Sequence, residues 1–225
     1  MMIARACAVY HQRVDRAANL DLTAFIVAGG KSTRMGRDKA FLEVGGRTLL
    51  ARALDSAGAV ARDVRIAGDA RKFAAFGPVV EDIHRESGPL GGIHAALVNS
   101  DTELNLMLAV DLPFVQPKFL EYLILRARDR DAVVTVPRAG GGSQPLCAVY
   151  RRSFAEVADR ALRSGRNKID ALFAEVETQM LGEEELSQAG FSGEMFRNLN
   201  TPSEWEQAEL NFKALASSDL LDTDD

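Results

Sequence analysis

The chain has 225 residues, of which 47% are hydrophobic and 26% charged, and a formal net charge of −5. That length suits one α/β domain with a large core, the acidic balance argues against nonspecific nucleic-acid binding as the main task, and no apolar run approaches the roughly 20 residues that span a bilayer. The two cysteines, Cys7 and Cys147, and the three histidines, His11, His84 and His94, show neither disulfide nor metal-ligand spacing, so a reducing cytoplasm fits and each histidine reads as a surface or packing residue.

Residues 1–20 precede the first regular element. Met1 to Tyr10 has an apolar bias interrupted by Arg5, without the continuous apolar core of a secretory signal, and the segment reads as a flexible extension or the product of an upstream start. A strand begins near Leu22 and carries Phe25, Ile26 and Val27. Gly29 and Gly30 follow, where backbone N–H groups can approach a ligand closely. Lys31, Arg34, Arg37 and Lys39 then cluster around a single acid, Asp38, and this basic loop on an acidic chain is suited to an anion. It is not a Walker A loop, because Phe25 stands where that motif needs its first glycine, and no G-x-G-x-x-G fits.

Ala40 to Arg47 reads as a short apolar segment and a turn, and Thr48 to Ala57 as a helix with Leu50, Ala53, Leu54 and Ala57 on one face. A second strand, Asp63–Ala67, ends at Gly68-Asp69; a helical piece covers Ala70 to Phe76; a third strand runs from Gly77 to Asp82. Strands alternating with helices predict a parallel sheet with right-handed crossovers. Ligands of such sheets gather outside the carboxyl ends of the strands, which is where Gly29, Asp69, Asp82 and Asp111 fall. Ser87 to Ile93 is a second glycine-rich loop, either a flexible turn or a wall that offers backbone groups to a ligand, before a helix from Ile93 to Val98.

Leu104 to Val110 is nearly all apolar, as a strand buried on both faces should be. Asp111 at its tip needs a partner or a metal ion, and its oxygens suit Mg²⁺ shared with substrate phosphates. Beyond it the pattern predicts a helix over Pro117–Ala127, a strand over Asp131–Pro137, a mobile loop over Arg138–Ser143 and a strand over Gln144–Tyr150, with Cys147 in the core. Helices follow at Ser153–Leu162 and Lys168–Glu175. Arg166 and Lys168 between them either meet an acceptor phosphate or cover a helix end. Met195 to Asn200 reads as a last strand with Asn198 and Asn200 on one side, followed by a Thr201-Pro-Ser-Glu204 capping box. Residues 217–225 read as a disordered acidic tail, leaving one domain over 21–216.

The string A-G-G-x-S-x-R-M-G-x-D-K-A, from Ala28 to Ala40, resembles the signature of nucleotidyltransferases that activate small phosphorylated molecules. Within that group it is most similar to the molybdenum cofactor guanylyltransferases. The strand ending at Asp82, G-P-L-G-G, D-L-P at Asp111, Q-P-L-x-A-V-Y and N-L-N-T-P extend the resemblance from about Leu22 to Glu209 in the same order. Gly68-Asp69 departs from it, standing where an asparagine is common. The resemblance implies a single three-layer α/β domain with a mostly parallel, Rossmann-like sheet of the nucleotide-diphospho-sugar transferase type. It implies transfer of GMP from GTP to the terminal phosphate of Mo-molybdopterin, with Mg²⁺ on Asp111. The backbone at Val27, Ala28, Gly29 and Gly30 would then hold the nucleotide, with Lys39 on its phosphates and Arg34 neutralising the leaving group. Asp82 and Asp69 would line the guanosine pocket, with Asn198 and Asn200 on the acceptor side. It further implies transient contact with molybdenum-insertion proteins and acceptor molybdoenzymes, but no nucleic acid or membrane. The sister cytidylyltransferase shares the loop type but usually has A-A-G where this chain has A-G-G; a GTP-binding regulator with an inactive site is the non-enzyme alternative.

Overall fold

A computed structural model describes residues 21–29, 38–84, 87–199 and 204–210. The N-terminal extension, the acidic tail, Gly30, Arg34, Asn200 and the start of the capping box lie outside the described residues. In chain order the elements are β1 (Leu22–Val27), β2 (Glu43–Val44), β3 (Arg47–Thr48), α1 (Leu49–Gly58), β4 (Asp63–Ala67), α2 (Ala70–Phe73), β5 (Val79–Val80), α3 (Gly88–Val98), β6 (Leu104–Ala109), α4 (Pro117–Asp129), β7 (Val134–Ala139), β8 (Gly142–Ser143), β9 (Cys147–Arg151), α5 (Phe154–Arg163), β10 (Thr178–Leu181) and α6 (Glu183–Gln188). Short 3-10 turns cover Lys39–Phe41, Ile169–Glu175 and Gly193–Phe196.

The main sheet has the order β10-β7-β9-β6-β1-β4-β5, with β8 paired to β7. β1 is parallel to both β4 and β6, β4 to β5, and β7 to β10. β9 runs antiparallel between β6 and β7. The sheet is therefore mostly parallel, and helices cover both faces. Successive strand residues point to opposite faces, so Leu22, Ala24 and Ile26 pack with Leu50, Phe119 and Leu123 on one side. Phe25 and Val27 pack with Leu90, Ile93 and Phe154 on the other. β1 is buried at all six positions, which is why it carries an apolar run rather than an alternating one. Burying a side chain such as Phe25 contributes about 1.5–3 kcal/mol.

The polar groups buried at the opposite, amino-end edge of the sheet are bonded to one another. Thr102 Oγ1 donates to Thr23 Oγ1 at 2.9 Å, and Asn105 Nδ2 donates to the Thr102 carbonyl at 3.2 Å. Helical residues 204–210 close the domain through buried Ala208, with Glu209 Oε1 accepting from Gly45 N at 2.8 Å.

Several local expectations change. The glycine-rich segment after Ser87 is helical from Gly88 onward, because Pro89 suits a first turn and has no N–H to satisfy there. Arg138 to Ser143 is not a mobile loop but part of a paired hairpin: Gly140 and Gly141 have φ of 61° and 77°, the left-handed pair that a two-residue hairpin turn requires. The segment from Met195 is a 3-10 turn followed by irregular chain, not a strand; the sheet edge beside β7 belongs to β10, which with α6 the apolar pattern did not reveal. Ile169–Glu175 is 3-10 rather than α-helical, and the third strand shortens to Val79–Val80. Cys147 is wholly buried, and burial pushes its thiol pKa up, as suits a core residue rather than a nucleophile.

Gly68 cannot carry a side chain without disturbing this frame. A Cβ there would lie 2.9 Å from the ring of Phe73, itself 1% exposed and unable to swing aside. Gly68→Ala is expected to lose about 1–3 kcal/mol of stability in chemical denaturation, as overpacked sites do; an unchanged midpoint would show that α2 shifts freely.

Candidate active site

The sheet ladder continues past the strand ends and lines up the segments beyond them. Ala28 N donates to Ala67 O at 3.0 Å, Gly68 N to Val80 O at 2.9 Å, and Val110 N to Val27 O at 3.2 Å. Ala28-Gly29, Gly68-Asp69 and Val110-Asp111 are thereby held side by side at the carboxyl edge, the position expected of a ligand site in a parallel sheet. Gly29 is exposed, and among the described residues a Cβ placed on it would meet only the Ala67 carbonyl, at 4.0 Å.

Lys39 reaches this edge from the turn Lys39–Phe41. Asp38 caps that turn by accepting from Ala40 N at 3.2 Å, Ala40 is fully buried, and Leu49 N donates to Leu42 O at 2.9 Å, tying the turn to α1. Asp38 also pairs with Lys72 Nζ at 2.7 Å. So anchored, Lys39 Nζ lies 3.5 Å from Asp111 Oδ2, with side chains 24% and 25% exposed. A partly solvated pair of this length contributes at most about 1 kcal/mol to stability. Its importance lies in placing an ammonium and a carboxylate, 72 residues apart in sequence, at one point.

Asp82 follows β5 and is half-buried, and this burial pushes its carboxyl pKa up. Its oxygens lie 3.6 Å from where Cβ atoms on Gly91 and Gly92 would stand, in the first turns of α3, and the Gly92 position is 3.7 Å from Val27 Cγ1. The helix thus runs in contact with Asp82 and the tip of β1, and at Gly91 a Cβ would crowd the His84 carbonyl, at 3.1 Å. Asp69 caps α2 by accepting from Arg71 N at 2.9 Å, and its two oxygens also take Arg71 Nε and Nη2 at 3.1 and 2.9 Å. Those Arg71 hydrogen bonds hold the partly exposed Asp69 carboxyl below the usual carboxylate range.

Asn198 is exposed between buried Phe196 and Leu199. Arg166 pairs with Glu175, and its N–H donates to Ala161 O at 2.9 Å, so it covers the end of α5. Lys168 is exposed at the start of the following 3-10 turn. Gln144 to Leu146 runs along the tip of β6, with Leu146 O accepting from Ala109 N at 2.7 Å and Pro145 O from the Tyr150 hydroxyl at 2.8 Å. Beside it opens a cavity of about 860 Å³, lined among others by Ala139, Gln144, Glu183, Phe191, Glu194 and Arg197. Sequence reasoning missed most of this cavity because it is built by α6 and the turn at Gly193, whose short polar segments lack a periodic signal.

The structure thus brings Val27, Ala28, Gly29, Lys39, Asp69, Asp82 and Asp111 to one edge. It is an edge able to bind an anion and, through a hard oxygen donor, a divalent cation. Among the described residues no helix is long and apolar enough to cross a membrane.

Residues 24–179 match the family model of the MobA-like NTP transferase domain. A probable molybdenum cofactor guanylyltransferase of Pelotomaculum thermopropionicum is 35% identical over 193 residues, which cover 85% of this chain and 93% of the relative. The molybdenum cofactor guanylyltransferase of Desulfosudis oleivorans is 35% identical over 196 residues, covering 86% and 96%. Among solved structures, molybdopterin-guanine dinucleotide biosynthesis protein A from Archaeoglobus fulgidus superposes with a TM-score of 0.75 at 26% identity, covering 85% of this chain and 99% of that one. A 2-C-methyl-D-erythritol 4-phosphate cytidylyltransferase from Thermus thermophilus, at 19% identity and a TM-score of 0.65 over 86% of this chain and 99% of that one, shares the fold.

The raised pKa of Asp82 means that its ionised form opposes folding. The cost is absent when the group is protonated in both states and grows as pH rises from the unfolded carboxylate range through the folded pKa. Asp82→Asn is therefore expected to raise the nucleotide-free melting temperature at pH 7, with the gain shrinking as pH falls through the raised folded pKa and gone once pH lies below the usual carboxylate range. A pH-independent difference in thermal melts would remove burial as the cause.

Proposed function

The chain belongs to the MobA-like NTP transferase domain family, and on that premise we propose that this nucleotidyltransferase moves GMP from GTP to the terminal phosphate of Mo-molybdopterin and releases pyrophosphate. The observation that carries the reading is the meeting of Lys39 Nζ and Asp111 Oδ2 at 3.5 Å on the carboxyl edge of the sheet. The named activity of relatives covering most of the chain supports the donor and the acceptor.

An acceptor phosphate oxygen attacks the α-phosphorus of GTP, and the bond from that phosphorus to the β-bridging oxygen breaks. The nucleophile is already ionised at neutral pH, so no residue need act as its base. The difficulty is gathering two polyanions and stabilising charge on the α-phosphate and the leaving pyrophosphate, a task of positioning and electrostatics. Backbone groups from Val27 to Gly30 hold the nucleotide, Lys39 binds its phosphates and Arg34 neutralises the leaving group. Asp82, with Asp69, lines the guanosine pocket, where a carboxylate can accept from donors on the base edge. Asn198 and Asn200 serve the acceptor, and the cavity beside Gln144 and Arg197 gives room for its pterin.

Asp111 would hold Mg²⁺. The fit is supported by a quarter-exposed carboxylate at a strand tip, since this cation is usually held by one or two carboxylates together with substrate phosphates. Held there, the ion would supply positive charge that offsets the charge of the substrate phosphates. The reaction belongs in the cytoplasm, with transient contacts to molybdenum-insertion proteins upstream and acceptor molybdoenzymes downstream.

Pyrophosphate release with Mo-molybdopterin as acceptor is expected to require Mg²⁺ and to proceed with GTP but not with CTP or ATP. Lys39→Ala and Asp111→Asn should each lower kcat by roughly 10²-fold or more, by analogy with lost oxyanion donors. Preference for CTP would reassign the base, and a nearly unimpaired Lys39→Ala enzyme would remove the role given to Lys39.

A further inference from the structure

The fold gathers three side chains that the transfer reaction does not use. His84 follows β5 on the connection to α3, His94 lies within α3, and Asp159 within α5. His84 Nε2 is 3.1 Å and His94 Nε2 3.8 Å from the same Asp159 oxygen, Oδ1, and the two imidazole rings have centroids 5.0 Å apart. One ligand atom from each of the three residues lies within 4.8 Å of the others. Around a tetrahedral ion with bonds of about 2.0–2.1 Å, ligand atoms stand about 3.3–3.4 Å apart. The two distances to Asp159 bracket that edge, so the three groups need only small movements to converge on one ion.

The state of His94 points the same way. It is 5% exposed, and Nε2, the ring nitrogen nearest Asp159, is the one that would meet an ion; Nδ1, buried and without a hydrogen-bond partner among the described residues, would carry the ring proton. At 3.8 Å its Nε2 is too far from Asp159 for a hydrogen bond, so a simple His–Asp pair accounts for His84 but not for a second buried imidazole facing the same carboxylate. Burial, and secondarily His84, push the His94 pKa down, which favours the neutral ring that binds metal. The second oxygen of Asp159 accepts from Arg163 Nε at 2.8 Å, which orients the carboxylate and leaves Oδ1 turned to the histidines. Arg163 itself is 74% exposed, so solvent screens its charge, while His84 and Asp159, each 27% exposed, leave a path for entry.

We infer that His84, His94 and Asp159 form a binding site for a divalent transition-metal ion of the zinc class, with a remaining coordination position for water. The ligand set of two imidazoles and a carboxylate is the nitrogen-and-oxygen type that such ions take and that Mg²⁺ does not favour. The ion would fasten the β5–α3 connection to α3 and α5. Asp82 lies two residues before His84, so occupancy would also steady Asp82; this last clause alone rests on the nucleotide reading above.

The test uses the full chain without nucleotide, in excess Mg²⁺, titrated with Co²⁺ by visible absorption and with Zn²⁺ by calorimetry. The wild type should show the strong visible bands of low-coordinate Co²⁺, displaced by Zn²⁺. His84→Ala and Asp159→Asn, chosen because both positions are partly exposed, should each weaken binding at least about ten-fold while circular dichroism shows an intact fold. A Co²⁺ spectrum that stays that of the hydrated ion, or equal Zn²⁺ binding by the wild type and the double variant, would overturn the site. Zn²⁺ binding without any change in GTP affinity would overturn only the link to Asp82.

Discussion

Strands β1 and β6 run parallel with both faces of each covered by apolar packing, and the rest of the molecule depends on that pairing. Their register sets Val27 opposite Ala109. A slip of one residue would turn Phe25 and Ile26 toward the wrong cores, so the two cores on either side of the sheet lock the pairing. Gly29 and Asp111, each two residues past a paired position, consequently end at the same height on the carboxyl edge. The height of both is set by hydrophobic burial several residues away, and the contact of Asp111 with Lys39 is added to it.

From this edge outward, the polar side chains are secured mainly by local devices. A 3-10 turn capped by Asp38 delivers Lys39. Helix α3 lies against Asp82. A cap over α2 occupies Asp69. Such devices hold charged groups where water alone would otherwise stabilise them, and a partly desolvated anion such as Asp82 is the energetic consequence. Charged groups that work against folding in this way cluster at ligand sites in general.

The parts legible in the sequence were those written in hydrophobic pattern. The continuous apolar runs at Phe25–Val27 and Leu104–Val110 marked the buried parallel strands, and the alternation around them placed Gly29, Asp69, Asp82 and Asp111 at strand ends, where the structure has them. Segments whose structure depends on distant partners were not legible. Thr178–Leu181 becomes a strand only because β7 offers it an open edge. Gly88–Gly92, rich in residues that normally break helices, is helical because Pro89 suits the first turn, and at Gly91 a Cβ would crowd the His84 carbonyl, at 3.1 Å. His84, His94 and Asp159 are far apart or oddly spaced in sequence, and only the packing of α3 on α5 brings them together.

The antiparallel course of β9 separates the two halves of the molecule in their construction. Strands β1, β4, β5 and β6 are joined by helix-bearing crossovers, whose lengths are constrained by the need to span the sheet. The Gln144 side is reached instead by the hairpin at Gly140-Gly141 and an immediate return through β9. A hairpin tip on the surface tolerates added residues at little entropic cost. The room in the cavity beside Gln144 can therefore be remodelled by insertions at one turn, while the strands that carry Gly29 and Asp111 keep their register.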